Sequence, residues 1–162
     1  MGDLGCYGSP DAVTPNIDRI ASEGLKFNRF FQATAMSSPT RHCLLTGLYP
    51  VKSGAYPNHT FIDEGVKTLP YYLKKAGYRV AMQGKRHIAP LEAFPFEYLS
   101  GDYKNLNIPD LELFIADVAV KKQAFFLYLA SNDPHSPWTR GNRSLFDLSL
   151  IHISEPTRRS YI

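Results

Sequence analysis

Cysteine is scarce in this chain, and so is any excess of one charge. The 162 residues include only Cys6 and Cys43, too few for a disulfide framework and without the paired spacing of a cysteine metal site. The formal charge of +3 is small and scattered, which argues against a protein that binds nucleic acid or an anionic membrane surface. No apolar run approaches the length of a membrane span. With 44% hydrophobic and 20% charged residues, the composition is that of an ordinary globular domain.

Helix and strand patterns alternate along the middle of the chain. Proline or threonine at the start, with glycine after three of the ends, predicts helices over 15–23, about 39–46, 68–76 and about 109–122. Apolar patterns predict strands over 25–31, 78–84 and 124–130, the last a continuous run typical of a buried parallel strand. This alternation predicts an α/β fold with helices on both faces of the sheet. Three strands are few for such a sheet, so we expect a fold truncated at both ends.

The segment MSSPTRHCLLTG, Met36 to Gly47, contains an unusual helix start. Arg41 lies in the first turn of the predicted helix, where the macrodipole disfavours a cation. An anion bound by the free N–H groups of this turn would account for the arginine, because a guanidinium also attracts negative charge. The segment therefore indicates an anion-binding site.

Several motifs in this chain resemble those of one enzyme family. Ser37-Ser38-Pro39-Thr40-Arg41 with the following Leu-Thr-Gly resembles the C/S-x-P-x-R signature of the type I, formylglycine-dependent sulfatases. TPNIDRIASEGLKF before it, and GKRH and FFLYLASNDPHSPW after it, resemble family segments in the same order, from Asp3 to about Trp138. GKRHIAPLEAFPFEY looks closest to the heparan N-sulfatases, or sulfamidases.

The resemblance implies an alkaline-phosphatase-like sulfatase fold and hydrolysis of a sulfate ester or sulfamate. Ser37 holds the position that becomes formylglycine, whose hydrated diol has one hydroxyl to attack sulfur and a second to lose a proton as sulfate is expelled. Arg41 would hold the diol, Lys85 and His87 would bind the sulfate oxygens, with His87 as a proton acceptor, and His135 would reach the leaving group. Four of these five residues could instead have a purely structural role: Ser37 as a helix cap, Lys85 as a solvated charge, His87 at a strand end and His135 in a turn.

Calcium is the metal that the resemblance implies. Asp3 matches the second aspartate of the family's metal pair, Gly2 stands where the first is expected, and Ser37 is the other candidate ligand. Calcium takes roughly six to eight oxygen ligands, and the family's later Asp-Asn pair should lie beyond residue 147. We therefore expect an incomplete calcium site in this chain.

The last residues differ in character from the rest. LSLIHISEPTR, Leu148 to Arg158, resembles the one-frame translation of a transposon-type DNA sequencing adapter. We therefore expect a partial sulfatase catalytic domain over 1–147 and adapter read-through, not a natural domain, over 148–162.

Three functions remain open on the sequence. The parent protein is expected to be a bacterial, periplasmic or secreted sulfatase that acts on a sulfated small molecule or glycan and requires a formylglycine-generating maturase, the fragment itself being inactive. A phosphoesterase of the same superfamily and a non-catalytic module that binds sulfated glycans are the alternatives. His42 and His59 match no motif and are expected to be surface or packing residues.

Overall fold

The computed structural model describes residues 4–102, 105–132 and 135. The helices are α1 (Pro15–Glu23), α2 (Ser37–Thr46), α3 (Pro50–Ser53), α4 (Leu69–Lys75) and α5 (Ile108–Val120), with single 3-10 turns at Gly5–Tyr7 and Leu91–Ala93. The strands are β1 (Arg79–Gly84), β2 (Glu97–Tyr98) and β3 (Phe125–Ala130). No helix in these ranges is long and apolar enough to cross a membrane. The expected domain boundary at 147 and the adapter-like tail lie outside the described residues.

The chain divides into two compact units, Met1–Ala35 and Met36–Ile162. In the first unit α1 begins and ends as predicted, but the strand predicted over 25–31 is wrong, since these residues form no strand. The alternating Leu25 and Phe27 are 80% and 53% exposed. Alternation indicates a strand only where a neighbouring strand and a buried face exist, and the described part of this unit offers neither.

The second unit is built on a parallel sheet in the order β2-β1-β3. Successive residues of β1 face opposite sides, so that Val80 and Met82 pack in one apolar cluster while Ala81 packs in another against Phe114 and Val118 of α5. The first cluster also contains Leu45, Ala55, Ile62, Ile88, Phe94 and Phe96. Both faces of the central strand are therefore covered, which confirms the predicted α/β class.

The third strand is more exposed than its sequence predicts. β3 pairs with β1 from Arg79 opposite Phe125 to Gly84 opposite Ala130, as expected for a parallel strand. Phe125 and Leu129 are nonetheless 44% and 45% exposed, so the expectation of a buried strand is wrong. Among the described residues β3 lies at an edge of the sheet, with β1 as its one strand neighbour, which leaves its outer side uncovered.

A glycine at the carboxyl end of β1 positions the segment that follows. Gly84 has a φ of 88°, and a Cβ at this position would collide with the carbonyl oxygen of Ala130. The next residue, Lys85, continues the ladder because its N–H donates to the same Ala130 oxygen at 2.8 Å. The GKRH motif is thereby held at the carboxyl edge of the sheet, where open α/β sheets bind their ligands.

Helix α2 begins two residues earlier than the sequence predicts. Its first residue is Ser37 and not Pro39. Proline is tolerated as the third helical residue because the N–H groups of the first turn need no acceptor inside the helix. Gly47 ends the helix in the left-handed region, with its N–H donating to Cys43 O at 2.9 Å. As a result, Ser37 lies at the free N-terminal end of a ten-residue helix.

Candidate active site

The hydroxyl of Ser37 lies between two basic side chains. Arg41, one turn further along α2, donates from Nε to Ser37 Oγ at 3.3 Å. Nδ1 of His87 is 3.0 Å from the same oxygen. Arg41 is fixed further by donation from Nη1 to the carbonyl of Lys85 at 3.1 Å and to the hydroxyl of Tyr128 at 3.3 Å. One arginine thus connects the helix, the GKRH segment and β3 around Ser37.

Lys85 is a nearly buried cation in this cluster. It is 7% exposed, and none of the described residues forms a hydrogen bond or ion pair with its side chain. Burial, and then the charge of Arg41, lowers the pKa of the Lys85 ammonium. The charged neighbour that shifts this pKa is basic, so the cluster would be stabilised by an anion.

His87 is held from both sides of its ring. Its Nε2 is 2.9 Å from Nδ1 of His59, and both contacts are satisfied when Ser37 donates to Nδ1 and Nε2–H donates to His59. Both histidines have left-handed backbones, with φ of 51° for His87 and 64° for His59, a conformation that costs a residue with a Cβ roughly 1–2 kcal/mol. Burial lowers the pKa of His87, and the neighbouring His59, Lys85, Arg41 and His42 lower it further. The neutral ring is therefore favoured, with Nδ1 free to accept a proton from Ser37.

His59 is the member of this cluster that the sequence did not identify. It is exposed and matches no motif, so it was expected to be a surface or packing residue. It is a surface residue, as expected, and its ring centroid also lies 4.7 Å from that of His87, which is 28 positions away in the sequence. No local pattern around Asn58-His59-Thr60 carries a signal for this contact.

His42 is a packing residue, as expected, with a defined position in the architecture of the site. The ring is fully buried, Nδ1–H donates to Ser38 O at 2.8 Å, and Nε2 accepts the N–H of Ala89 at 3.0 Å. These bonds fix the tautomer and join α2, which carries Ser37, to the segment that follows His87.

The two remaining predicted site residues are not brought to Ser37 by the described structure. His135 is exposed, and its backbone N–H donates to Asn132 O at 2.8 Å, so its place on the leaving-group side stays a prediction. Asp3 lies outside the described residues. Within those residues no group of three or more His, Cys, Asp or Glu side chains could hold a metal ion.

Comparison with known proteins identifies the family. The sequence profile described as "Sulfatase" matches residues 1–144. An N-acetylglucosamine-6-O-sulfatase of Bacteroides thetaiotaomicron is 40% identical over 94% of this chain and 32% of its own length. The human N-sulphoglucosamine sulphohydrolase is 31% identical over 82% of this chain and 29% of its own length.

A solved structure supports the same assignment. The structure is of a protein in complex with its substrate D-glucosamine-2-N,6-O-disulfate, and it superposes with a TM-score of 0.67 at 29% identity, over 84% of this chain and 32% of the solved one. The chain thus spans about a third of the length of these relatives. Its fold is the sulfatase fold, and the chain belongs to the sulfatase family.

Proposed function

We propose that the full-length protein containing this chain hydrolyses a sulfate ester or sulfamate of a sulfated glycan, with Ser37 as the position of the nucleophile. The observation that carries this proposal is the hydroxyl of Ser37, held between Arg41 and His87 at a helix N-terminus. Free N–H groups and a guanidinium meet at this hydroxyl, the nearly buried Lys85 ammonium interacts electrostatically with Arg41 and His87, and this combination favours a tetrahedral anion. The chain spans about a third of its relatives, so the activity is proposed for the full-length protein and the 162-residue chain alone is expected to be inactive.

Each side chain has a proposed role in the reaction. Arg41 orients the nucleophilic oxygen through its 3.3 Å contact and stabilises charge that develops on it. Lys85 binds the sulfate oxygens, and its low exposure strengthens this attraction because little water screens it. His87 receives the proton from the oxygen 3.0 Å away. His135 is proposed to act at the leaving group.

Conversion of Ser37 to formylglycine completes the proposal. The modified residue supplies, as its hydrate, a second hydroxyl whose deprotonation releases sulfate. A serine at this position requires a maturase that acts on serine, which supports a bacterial, periplasmic or secreted parent. The described residues do not form a calcium site, and the proposed roles of Ser37, Arg41, Lys85 and His87 do not involve the metal.

Sulfated amino sugars are the proposed substrate class. The two relatives above are named for 6-O-sulfated N-acetylglucosamine and N-sulphated glucosamine, and the ligand of the solved relative carries both kinds of sulfate. Assays with an O-sulfated and an N-sulfated glucosamine distinguish which of the two groups is cleaved.

Peptide mass spectrometry tests the proposal. The full-length protein is coexpressed with and without a maturase, and the peptide containing Ser37 is measured alongside sulfate release. Loss of two hydrogen atoms at Ser37 should appear together with activity. Ser37→Ala should lower turnover by at least 10³-fold, on the order expected for a lost nucleophile, whereas Ser38→Ala on the same turn should retain activity.

Three results would overturn the proposal. Full sulfatase activity with unmodified Ser37 would exclude the formylglycine mechanism. Faster hydrolysis of phosphate esters than of sulfate esters by the unmodified protein would identify a phosphoesterase, and binding of sulfated glycans without turnover by the matured protein would identify a binding module.

A further inference from the structure

A cavity of about 240 Å³ lies beside His87, on the same segment as the proposed sulfate site. Met82 and Leu99 give it apolar walls, Gly84 and Gly101 leave backbone exposed, and Arg86 supplies a cation. Because His87 both borders this cavity and contacts Ser37 Oγ, a ligand that occupies the cavity is adjacent to the proposed reaction centre.

Arg86 is a fixed cation that the proposed chemistry does not use. Its guanidinium carbon lies 4.5 Å from the centre of the Tyr98 ring, within the range of a cation–π contact. Tyr98 is itself held, since its hydroxyl donates to Phe94 O at 2.9 Å and its ring packs on Phe96. The arginine is therefore pre-oriented, which lowers the entropy lost when it binds a partner.

The donors of Arg86 are available to a ligand. The ion pairs among the described residues involve Arg79 and Lys121 and not Arg86, and no described residue forms a hydrogen bond with its side chain. Glu92 acts electrostatically on Tyr98 but forms no ion pair with Arg86 among those residues. A guanidinium with free donors at a cavity lined by both polar and apolar groups suits a planar or tetrahedral anion carried on a sugar ring.

We propose that this Arg86 cavity binds a second anionic group of the glycan substrate, a sulfate or a carboxylate that is not cleaved. This inference rests on the proposed function and deepens it: the substrate class becomes glycans with at least two anionic groups. The cleaved sulfate occupies the Ser37 cluster, and the retained anion pairs with Arg86.

Kinetics with two substrates test the inference in the matured full-length enzyme. Glucosamine 2-N,6-O-disulfate is compared with the monosulfate that carries only the cleaved group, which is glucosamine 6-O-sulfate for a sulfate esterase and glucosamine 2-N-sulfate for a sulfamidase. Both substrates are assayed with wild type, Arg86→Ala, Arg86→Lys and the control Arg29→Ala from the first unit. Arg86→Ala should raise KM for the disulfate roughly 10- to 100-fold, the range expected for lost hydrogen bonds between charged groups, with kcat nearly unchanged. KM for the monosulfate should stay constant, and Arg86→Lys should rescue only part of the loss.

A matched glycan with a carboxylate in place of the retained sulfate distinguishes the two anions, since the one with the larger Arg86→Ala effect is the group bound. Equal effects of Arg86→Ala on singly and doubly charged substrates, or no effect on either, would overturn the inference.

Calorimetric titration of the disulfate into Ser37→Ala protein separates this result from the proposed function. If the double variant Ser37→Ala, Arg86→Ala loses binding of the disulfate, the cavity assignment is supported even when the wild type shows no turnover. If binding is unchanged, the assignment is refuted even when the wild type shows turnover.

Discussion

The two units of the chain are stabilised by different interactions. In the first, none of the described residues is buried, and side chain to backbone hydrogen bonds hold the segment together: Asp18 accepts the N–H of Cys6 at 2.7 Å, and Thr14 accepts that of Gly5 at 3.0 Å. The second unit has a sheet with apolar clusters on both faces. The candidate active-site residues that the structure brings together all lie in this second unit, because holding a hydroxyl between two basic groups requires a packed support.

Among the variants that compare buried with exposed parts of the chain, the largest effect should come from Lys85 in the second unit. Lys85→Met in the full-length enzyme removes the nearly buried ammonium, and we expect kcat/KM to fall roughly 10²–10³-fold, as for a lost charge-stabilising donor. Lys52→Met removes an exposed ammonium from α3 of the same unit and should change kcat/KM little. Steady-state sulfate release measures both variants. Similar losses in the two would indicate that net charge, and not the position of Lys85, drives catalysis.

Substitution of the buried His42 should lower the free energy of unfolding more than truncation of an exposed side chain in the first unit. His42→Leu leaves the N–H of Ala89 without its partner, at a cost of about 1–3 kcal/mol, and removes the side-chain bond to the Ser38 carbonyl, which keeps its backbone bond within α2. Ile20→Ala in the first unit truncates a side chain that is 67% exposed, and should change the free energy of unfolding by less than about 0.5 kcal/mol. Urea unfolding of the full-length variants gives both values. A larger loss for Ile20→Ala would mean that the first unit has a buried interface.

A smaller, local effect is expected from Asp18, whose carboxylate accepts hydrogen bonds within the first unit. Asp18→Ala removes the acceptor of the Cys6 N–H and of the Thr14 hydroxyl, and should weaken this unit by about 1 kcal/mol. Hydrogen exchange should accelerate at the Cys6 amide and stay constant at Val80 in β1. Asp11→Ala, an exposed carboxylate of the same unit, serves as the control. Acceleration at Val80 would show that the two units unfold together.

The smallest effect should come from the ion pair between Arg79 of β1 and Glu97 of β2 in the second unit. Arg79 donates to both carboxylate oxygens of Glu97, each at 2.8 Å, and this bond lowers the pKa of Glu97 below its usual 4.5. The pair therefore stabilises the fold above about pH 4.5 and loses this contribution as the pH falls through the lowered pKa.

Glu97→Gln tests this dependence. Because the side chain of Glu97 is 46% exposed, the variant should cost at most about 1 kcal/mol at neutral pH. Thermal unfolding of wild type and variant should converge in acid, while Glu112→Gln on α5 should match wild type throughout. A gap between wild type and Glu97→Gln that widens in acid would contradict the assignment.

Local patterns predicted most of the regular structure. Helices α1, α2, α4 and α5 and strands β1 and β3 lie within two residues of their predicted bounds, because caps, prolines and apolar periodicity are local signals. The strand predicted over 25–31 failed, since alternation does not reveal whether a neighbouring strand is present. The two residues of β2, Glu97–Tyr98, are too few to form a pattern.

The candidate site was predicted in part. The resemblance to sulfatases named Ser37, Arg41, Lys85 and His87, and the structure brings these four together. The contact between His59 and His87 was not predictable, because it depends on how a segment 28 residues away folds back. Likewise, the exposure of β3 depends on its place at the edge of the sheet that the described residues form, and the six apolar residues of the strand do not encode that place.

Arg41 contacts three segments that are far apart in the chain: Ser37 in its own helix, the Lys85 carbonyl 44 positions away, and the Tyr128 hydroxyl 87 positions away. Substitutions at these places should therefore not combine additively. Once Arg41 is replaced, removal of the Tyr128 hydroxyl should lower the free energy of unfolding little further, although the same removal is destabilising in the wild type. The substitutions that this protein tolerates at one of these positions thus depend on the residues at the others, because all of them contact the guanidinium of Arg41. A change tolerated in one homologue can therefore be damaging in another.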